Sequence, residues 1–194
     1  MIDFVKLPLF PLSNQVFVGG RMTLRIFEPR YLRMVKTSFE QQHGFAICML
    51  HAQTNANDQA HIYPMATRVD IIDFDPLEDG LLGITVEGKQ RLQLSRIHAE
   101  ADGLYVADAC VQPSWPNLAL NAEQQRIAEQ LQQVYHDYPD LAQLYPQPQF
   151  NDASWVAQRW LEIVPLNSEL KQQLWRCDDP HSALRVIDEL LQKH

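Results

Sequence analysis

The sequence predicts an α+β fold, in which a β-rich region carrying one inserted helix is followed by a bundle of helices. Three observations predict it. Over the first 113 residues the apolar positions fall in short runs separated by turn residues. After "PSWPN" at 113–117 the composition shifts to Gln, Leu and Ala. At the same place the hydrophobic period changes from two to about 3.6, the change expected where strands give way to helices. The expected division is 1–116 for the β-rich part and 117–194 for the helical part.

The strand candidates are "VKLPLF", "RMTLRIF", "GFAICML", "TRVDIIDFD", "LLGITVEG", "QRLQLSRI" and "GLYVADACV". Each is short and rich in β-branched or large apolar residues. Glu78-Asp79-Gly80 and Glu87-Gly88-Lys89 put a glycine between consecutive runs, which predicts an antiparallel meander over 67–98 with a turn at each. Pro8 and Pro11 cannot donate to a ladder, so the first strand is expected at an edge or irregular.

The inserted helix opens at Pro29, whose missing N–H is harmless at a first helical position and whose φ already suits the helix. Tyr31, Leu32, Val35 and Phe39 are expected on its buried face, with Arg33, Lys36 and Glu40 opposite. In the second part, Ile127, Leu131, Val134, Tyr135 and Tyr138 form one stripe, and Ala153, Val156, Ala157, Trp160, Leu161 and Val164 a second. Asn167 or Ser168 caps a shorter helix, and Asp179-Pro180 opens the last, with Ala183, Leu184, Ile187, Leu190 and Leu191 on its apolar face. The Gln-rich run at 124–133 keeps helical apolar spacing and so predicts a solvated helix face.

Composition excludes several classes of function. The 194 residues are 46% hydrophobic and 21% charged, enough to build a globular core. No apolar run approaches the roughly 18 residues of a membrane-spanning helix, and "MIDFVKLPLFPL" lacks the pattern of an export leader. A cytoplasmic protein without a membrane partner is expected. Cys48, Cys110 and Cys177 form no CxxC pair, which argues for buried small side chains and against a disulfide framework or zinc knuckle. A net charge of -8, without basic residues interleaved with aromatics, argues against a nucleic-acid partner.

Apparent catalytic motifs dissolve when read physically. "GITVEGKQ" at 83–90 comes close to a phosphate-binding loop, but Ile84-Thr85-Val86 is a β-branched run and Gln90 replaces the hydroxyl that would hold magnesium. Ser168-x-x-Lys171 has the spacing of some serine acyl enzymes, yet a polar residue before Glu169 is what a helix start requires. His51 and His61 flank a polar loop with no third ligand suggested by spacing, so no metal and no cofactor are expected. Asp73 and Asp75 share a strand face opposite Ile72 and Phe74, which a solvated face explains. With Asp70 they leave one alternative open, a metal-dependent hydrolase.

One stretch is specific. "LPLFPLSNQVFVGGRMTLRIFEPRYLRMV", residues 7–35, resembles the start of the N-terminal substrate-binding domain of Lon-type ATP-dependent proteases in its short stand-alone bacterial form. Leu7-Pro8-Leu9-Phe10-Pro11-Leu12, Gly19-Gly20 and Phe27-Glu28-Pro29-Arg30-Tyr31 stand where the family has PLFPL, a glycine pair and FEPRY. "DGLLGITVEGKQRLQL" and "LEIVPLNSELKQQLWRCDDPHSALRVIDELL" are similar to later parts of the domain. Val18 stands where the family usually has proline, and Ala66 where it commonly has glycine.

The resemblance implies a six-stranded pseudo-barrel of PUA-like type followed by a helical bundle. It also implies a non-catalytic module without the ATPase and peptidase parts, binding unfolded or apolar peptide segments or a partner protein. Its candidate binding residues are Phe27, Glu28, Arg30, Tyr31 and Trp115. Arg30 carries a specific expectation: a cation in a first helical turn opposes the helix dipole, so a sheet carboxylate or backbone carbonyls should hold it. Oligomeric state is not legible.

Overall fold

The computed structural model describes residues 4–51, 62–77 and 81–192. The chain forms two compact units, Met1–Pro113 and Ser114–His194. The first has six strands and one helix: β1 (Phe4–Leu12), β2 (Arg21–Ile26), α1 (Pro29–Gln41), β3 (Phe45–Leu50), β4 (Ile62–Pro76), β5 (Leu82–Ala99) and β6 (Tyr105–Gln112). The strand order is β2-β5-β4-β3-β1-β6, and a further β5–β6 pairing closes β5, β4, β3, β1 and β6 into a ring with β2 outside it. This is a pseudo-barrel, and closure removes most of its edges.

The expected meander is corrected at one point. Gly88 is not in a turn; β5 runs without a break from Leu82 to Ala99, and the register against β4 shifts between Arg68 and Val69, opposite Gly88. Glycine is needed there for close approach. Gly19 donates to the Gly88 carbonyl and Gly88 donates to the Gly20 carbonyl, both at 2.8 Å, so the glycine pair is strapped against the strand. The turn at Glu78-Asp79-Gly80 lies outside the described residues, but Leu77 donates to the carbonyl of Leu81 across it at 3.0 Å.

β1 is also not at the end of the strand order. It pairs antiparallel with β6 over Phe4–Pro8 and parallel with β3 over Leu9–Leu12. Each half has one strand neighbour and the strand changes partner midway, the irregular setting expected for Pro8 and Pro11.

The first unit holds two apolar clusters. One gathers Phe10, Val16, Leu24, Ile26, Met34, Val35, Phe45, Val69, Ile84 and Val86 beneath α1. The other, around Leu9, Cys48, Ala66, Leu92 and Ala107, fills the far part of the ring. The buried face of α1 differs from the expected stripe: Met34, Val35 and Ser38 are buried with Tyr31 half-buried, whereas Leu32 and Phe39 are exposed. Ser38 is accommodated because its hydroxyl donates to the Gly44 carbonyl at 3.0 Å.

The second unit consists of α2 (Ala122–Asp137), α3 (Pro139–Gln143), α4 (Ala153–Ile163), α5 (Ser168–Arg176) and α6 (His181–Leu191). Asn121 and Gln124 form a reciprocal capping box at the start of α2. Asn167, not Ser168, caps α5 by accepting from the Leu170 N–H at 2.8 Å. Asp179 accepts from the His181 N–H at 2.9 Å where α6 opens. Among the described residues, no helix is long and apolar enough to cross a membrane.

Candidate functional site

The corner between β2 and α1 is built by Glu28 and Pro29. Glu28 occupies the N-cap in extended conformation, and Pro29 is the first helical residue. The Glu28 carbonyl accepts from the N–H groups of Tyr31 and Leu32, both at 3.0 Å, starting the helix. Its side chain makes no capping hydrogen bond and turns instead to the Arg30 guanidinium, 2.7 Å away.

Arg30 is therefore held from two sides. Its other terminal nitrogen donates to the Gly103 carbonyl at 2.8 Å, which supplies the backbone carbonyl expected for it; the carboxylate comes from the corner and not from the sheet. Its guanidinium also lies 4.8 Å from the Tyr31 ring centroid. Gly103 adopts φ +82, the left-handed region, so the β5–β6 turn can present that carbonyl.

Arg33, one turn further along α1, reaches the same turn. It binds Glu100 and Asp102, both at 2.7 Å. Hydrogen bonds to Glu100 and then Asp102 raise its pKa. Asp102 is held below the usual carboxylate range, first by the Leu104 N–H donating to it at 3.1 Å and also by Arg33. Two arginines of α1 thus fasten the 100–104 turn against the helix.

Two depressions adjoin this fastening. An open one of about 630 Å³ is lined by Glu28, Pro29, Arg30, Arg33 and Asp102. A smaller one of about 200 Å³ has Leu7, Pro8, Met34, Leu104 and Val106 among its lining, with Lys6, Arg33, His43 and Glu100 at its polar side. His43 keeps Nδ1 2.7 Å from the Gly44 carbonyl, so that nitrogen carries the proton. Arg33 lines both depressions.

Phe27, next in sequence to Glu28 of the open depression, is 65% exposed. Tyr31 is different: its ring tilts against Phe10 with centroids 4.4 Å apart, and burial raises its phenol pKa against the opposing charge of Arg30. It remains a protonated packing residue at neutral pH. Trp115 belongs to the second unit and is 4% exposed; its Nε1 donates to the Cys177 carbonyl at 2.7 Å and its ring lies edge-on to Trp175. The structure therefore gathers Phe27, Glu28, Arg30 and Tyr31 at one corner and places Trp115 in a packed tryptophan pair. Arg33, His43 and Lys6 were missed because their spacing carries no motif; only the Ala-Asp-Gly at 101–103 hinted at a turn able to meet the helix.

The aspartate cluster offers no comparable arrangement. Arg68 binds Asp70 through both carboxylate oxygens at 3.0 and 3.2 Å, and Asp73 accepts from the Phe74 N–H at 2.9 Å. Among the described residues, no group of three His, Cys, Asp or Glu side chains is placed to hold a metal ion. His61, the other histidine flanking the polar loop, lies outside the described residues, and His51 stacks on Tyr63 at 3.5 Å. Ile72 and Phe74 do not form a buried face behind Asp73 and Asp75; a bulge between Ile71 and Asp73 leaves both exposed.

Comparison with known proteins places this architecture. No protein of curated function matches the chain. The crystal structure of a Lon N-terminal domain protein from Xanthomonas campestris is similar, with 28% identity, coverage of 97% of this chain and 98% of that one, and a TM-score of 0.74. The N-terminal domain of a Mycobacterium avium complex Lon protease shares the fold at 12% identity, covering 98% of this chain and all (100%) of that one with a TM-score of 0.62. Residues 6–193 match the profile of the ATP-dependent protease La (LON) substrate-binding domain, and the chain belongs to that family.

Proposed function

We propose that this protein is a non-catalytic recognition module of the cytoplasm that holds unfolded or apolar peptide segments, or an apolar segment of a partner protein, without itself cutting them. The observation that carries this reading is the apolar-floored depression between α1, β1 and β6, together with an exposed aromatic, Phe27, where β2 gives way to α1. Pro8, Met34, Leu104 and Val106 offer apolar surface to one large side chain, while Lys6, Arg33, His43 and Glu100 supply polar partners for the backbone that carries it. The carboxylates at the corner are engaged by Arg30 and Arg33, so the groups there suit binding and positioning.

Fluorescence anisotropy with a labelled, permanently unfolded polypeptide tests this. Saturable binding is expected, weakened about fivefold or more by Phe27→Ser combined with Lys6→Glu, the loss typical of removing an interface anchor. Binding no stronger than that of an unrelated acidic folded domain would sink the reading.

A further inference from the structure

β3 begins at Phe45, opposite Val69 of β4. Immediately before it the chain leaves the sheet at Gly44, with φ +66. A Cβ at Gly44 would lie 2.2 Å from the Val69 carbonyl oxygen, so only glycine permits so sharp a departure. The consequence is an empty lane. From Asp70 to Pro76, β4 is paired with β5 on one side and, among the described residues, with no strand on the other.

The direction of the backbone groups along this lane follows from the hairpin. Because Leu77 donates to Leu81, ladder parity turns the backbone of Asp75 and Asp73 toward β5 and that of Phe74 and Pro76 outward. Pro76 has no N–H to expose. The outward N–H of Phe74 is taken by the Asp73 carboxylate at 2.9 Å, in keeping with the lack of a strand there among the described residues. Outward carbonyls remain at Phe74 and Pro76.

The side chains along the lane alternate in chemistry. Phe74 meets Phe39 of α1 edge-on with centroids 5.3 Å apart, and the two rings are 40% and 63% exposed. Beside them a groove of about 450 Å³ is lined by Ser38, Phe39, Glu40, Gln42, Gly44, Asp70 and Ile71. On the opposite face stand Asp73 and Asp75, both exposed and without an ion pair among the described residues.

We propose that the outward edge of β4 at residues 70–76 is a strand-addition site for an extended segment of alternating basic and large apolar residues. This rests on the peptide-binding reading above and assigns a second surface and a partner chemistry to it. An added strand would lie about 4.8 Å from β4, in line with β3. Its apolar residues would face Phe39 and Phe74, and its cations Asp73 and Asp75, since residues opposite one another share a face. A peptide carbonyl would take the Phe74 N–H, releasing the Asp73 carboxylate to the peptide's cation. A second copy of this chain does not suit the lane, because edge-to-edge pairing would set the aspartates of two copies together.

The test uses the full chain and a labelled nine-residue peptide of alternating lysine and leucine, with three controls. These are a scrambled peptide, a glutamate-for-lysine peptide and a form N-methylated on the edge facing the protein. Binding is expected for the alternating lysine peptide alone. Asp73→Lys with Asp75→Lys should weaken it about tenfold and admit the glutamate peptide, because opposite charges across a strand pair attract and like charges repel. Equal binding of the N-methylated or scrambled peptide would overturn strand addition. Unchanged affinity in the double variant, with the unfolded polypeptide still bound, would overturn this site alone; loss of every interaction in the wild-type chain would overturn the recognition reading as well.

Discussion

The carbonyl oxygen of Phe17 lies 2.1 Å from the place that a Cβ on Gly88 would occupy. The loop before β2 thus rests directly on the middle of β5, and its two backbone hydrogen bonds to Gly88 depend on that contact. Backbone cannot yield as a side-chain tip can. Gly88→Ala is expected to destabilise the protein by about 1–3 kcal/mol, toward the upper end, as overpacking does. Denaturant unfolding would measure it, and an unchanged midpoint would show that the loop swings away freely.

The two anchors of Arg30 can be separated. Arg30→Ala loses both the Gly103 carbonyl and Glu28, and a loss of about 1–2 kcal/mol is expected for a charge-assisted hydrogen bond of a partly exposed group. Glu28→Gln removes only the exposed ion pair and should cost less than about 1 kcal/mol. Equal costs for the two variants would mean that the turn at Gly103 is not fastened by Arg30.

Glu87 should contribute to acid sensitivity. Burial alone would raise its pKa, but hydrogen bonds from Lys89 and Arg21 outweigh it and hold the carboxyl below its ordinary 4.5. A folded-state pKa below the unfolded one contributes stability that is present above the unfolded value and lost as pH falls through the folded value. Glu87→Gln should therefore reduce the drop in Tm between about pH 7 and about pH 3. An identical Tm profile in the variant would assign the acid limb to other carboxylates.

The orientation of α1 predicts a contrast between two of its residues. Met34→Ser, at a buried position, should cost about 2–5 kcal/mol, the range for truncating a core side chain. Phe39→Ser should cost no more than about 1 kcal/mol, since only an edge-on contact with Phe74 is lost. Comparable costs would restore Phe39 to the core. Parallel thermal melts of the two variants decide this.

Most of the architecture was legible because it follows local rules: period two against 3.6, Pro29 at a helix start, Asn167 or Ser168 as a cap. What escaped depended on partners distant in sequence. Leu32 and Phe39 looked like core because apolar residues at helical spacing usually are, yet Met34 and a hydrogen-bonded Ser38 take the inner face. Gly88 looked like a turn because a strand interior rarely tolerates glycine, and nothing near it in sequence announces the carbonyl of Phe17. The FEPRY corner was found through its motif, whereas Arg33, reaching Glu100 and Asp102 from an unremarkable helix position, carries no signal in one sequence. Trp115 was chosen for its chemistry, and burial against Trp175 decided its place.

The pairing of Phe4–Pro8 with β6 has a consequence for biosynthesis. Phe4 lies opposite Cys110, so one half of the first strand made waits for the last strand of its unit before it has a neighbour. At ribosomal rates of about 5–20 residues per second, that interval is on the order of ten seconds. During it, a newborn segment reading "FVKLP" is unpaired at the site where chaperones and neighbouring chains meet it.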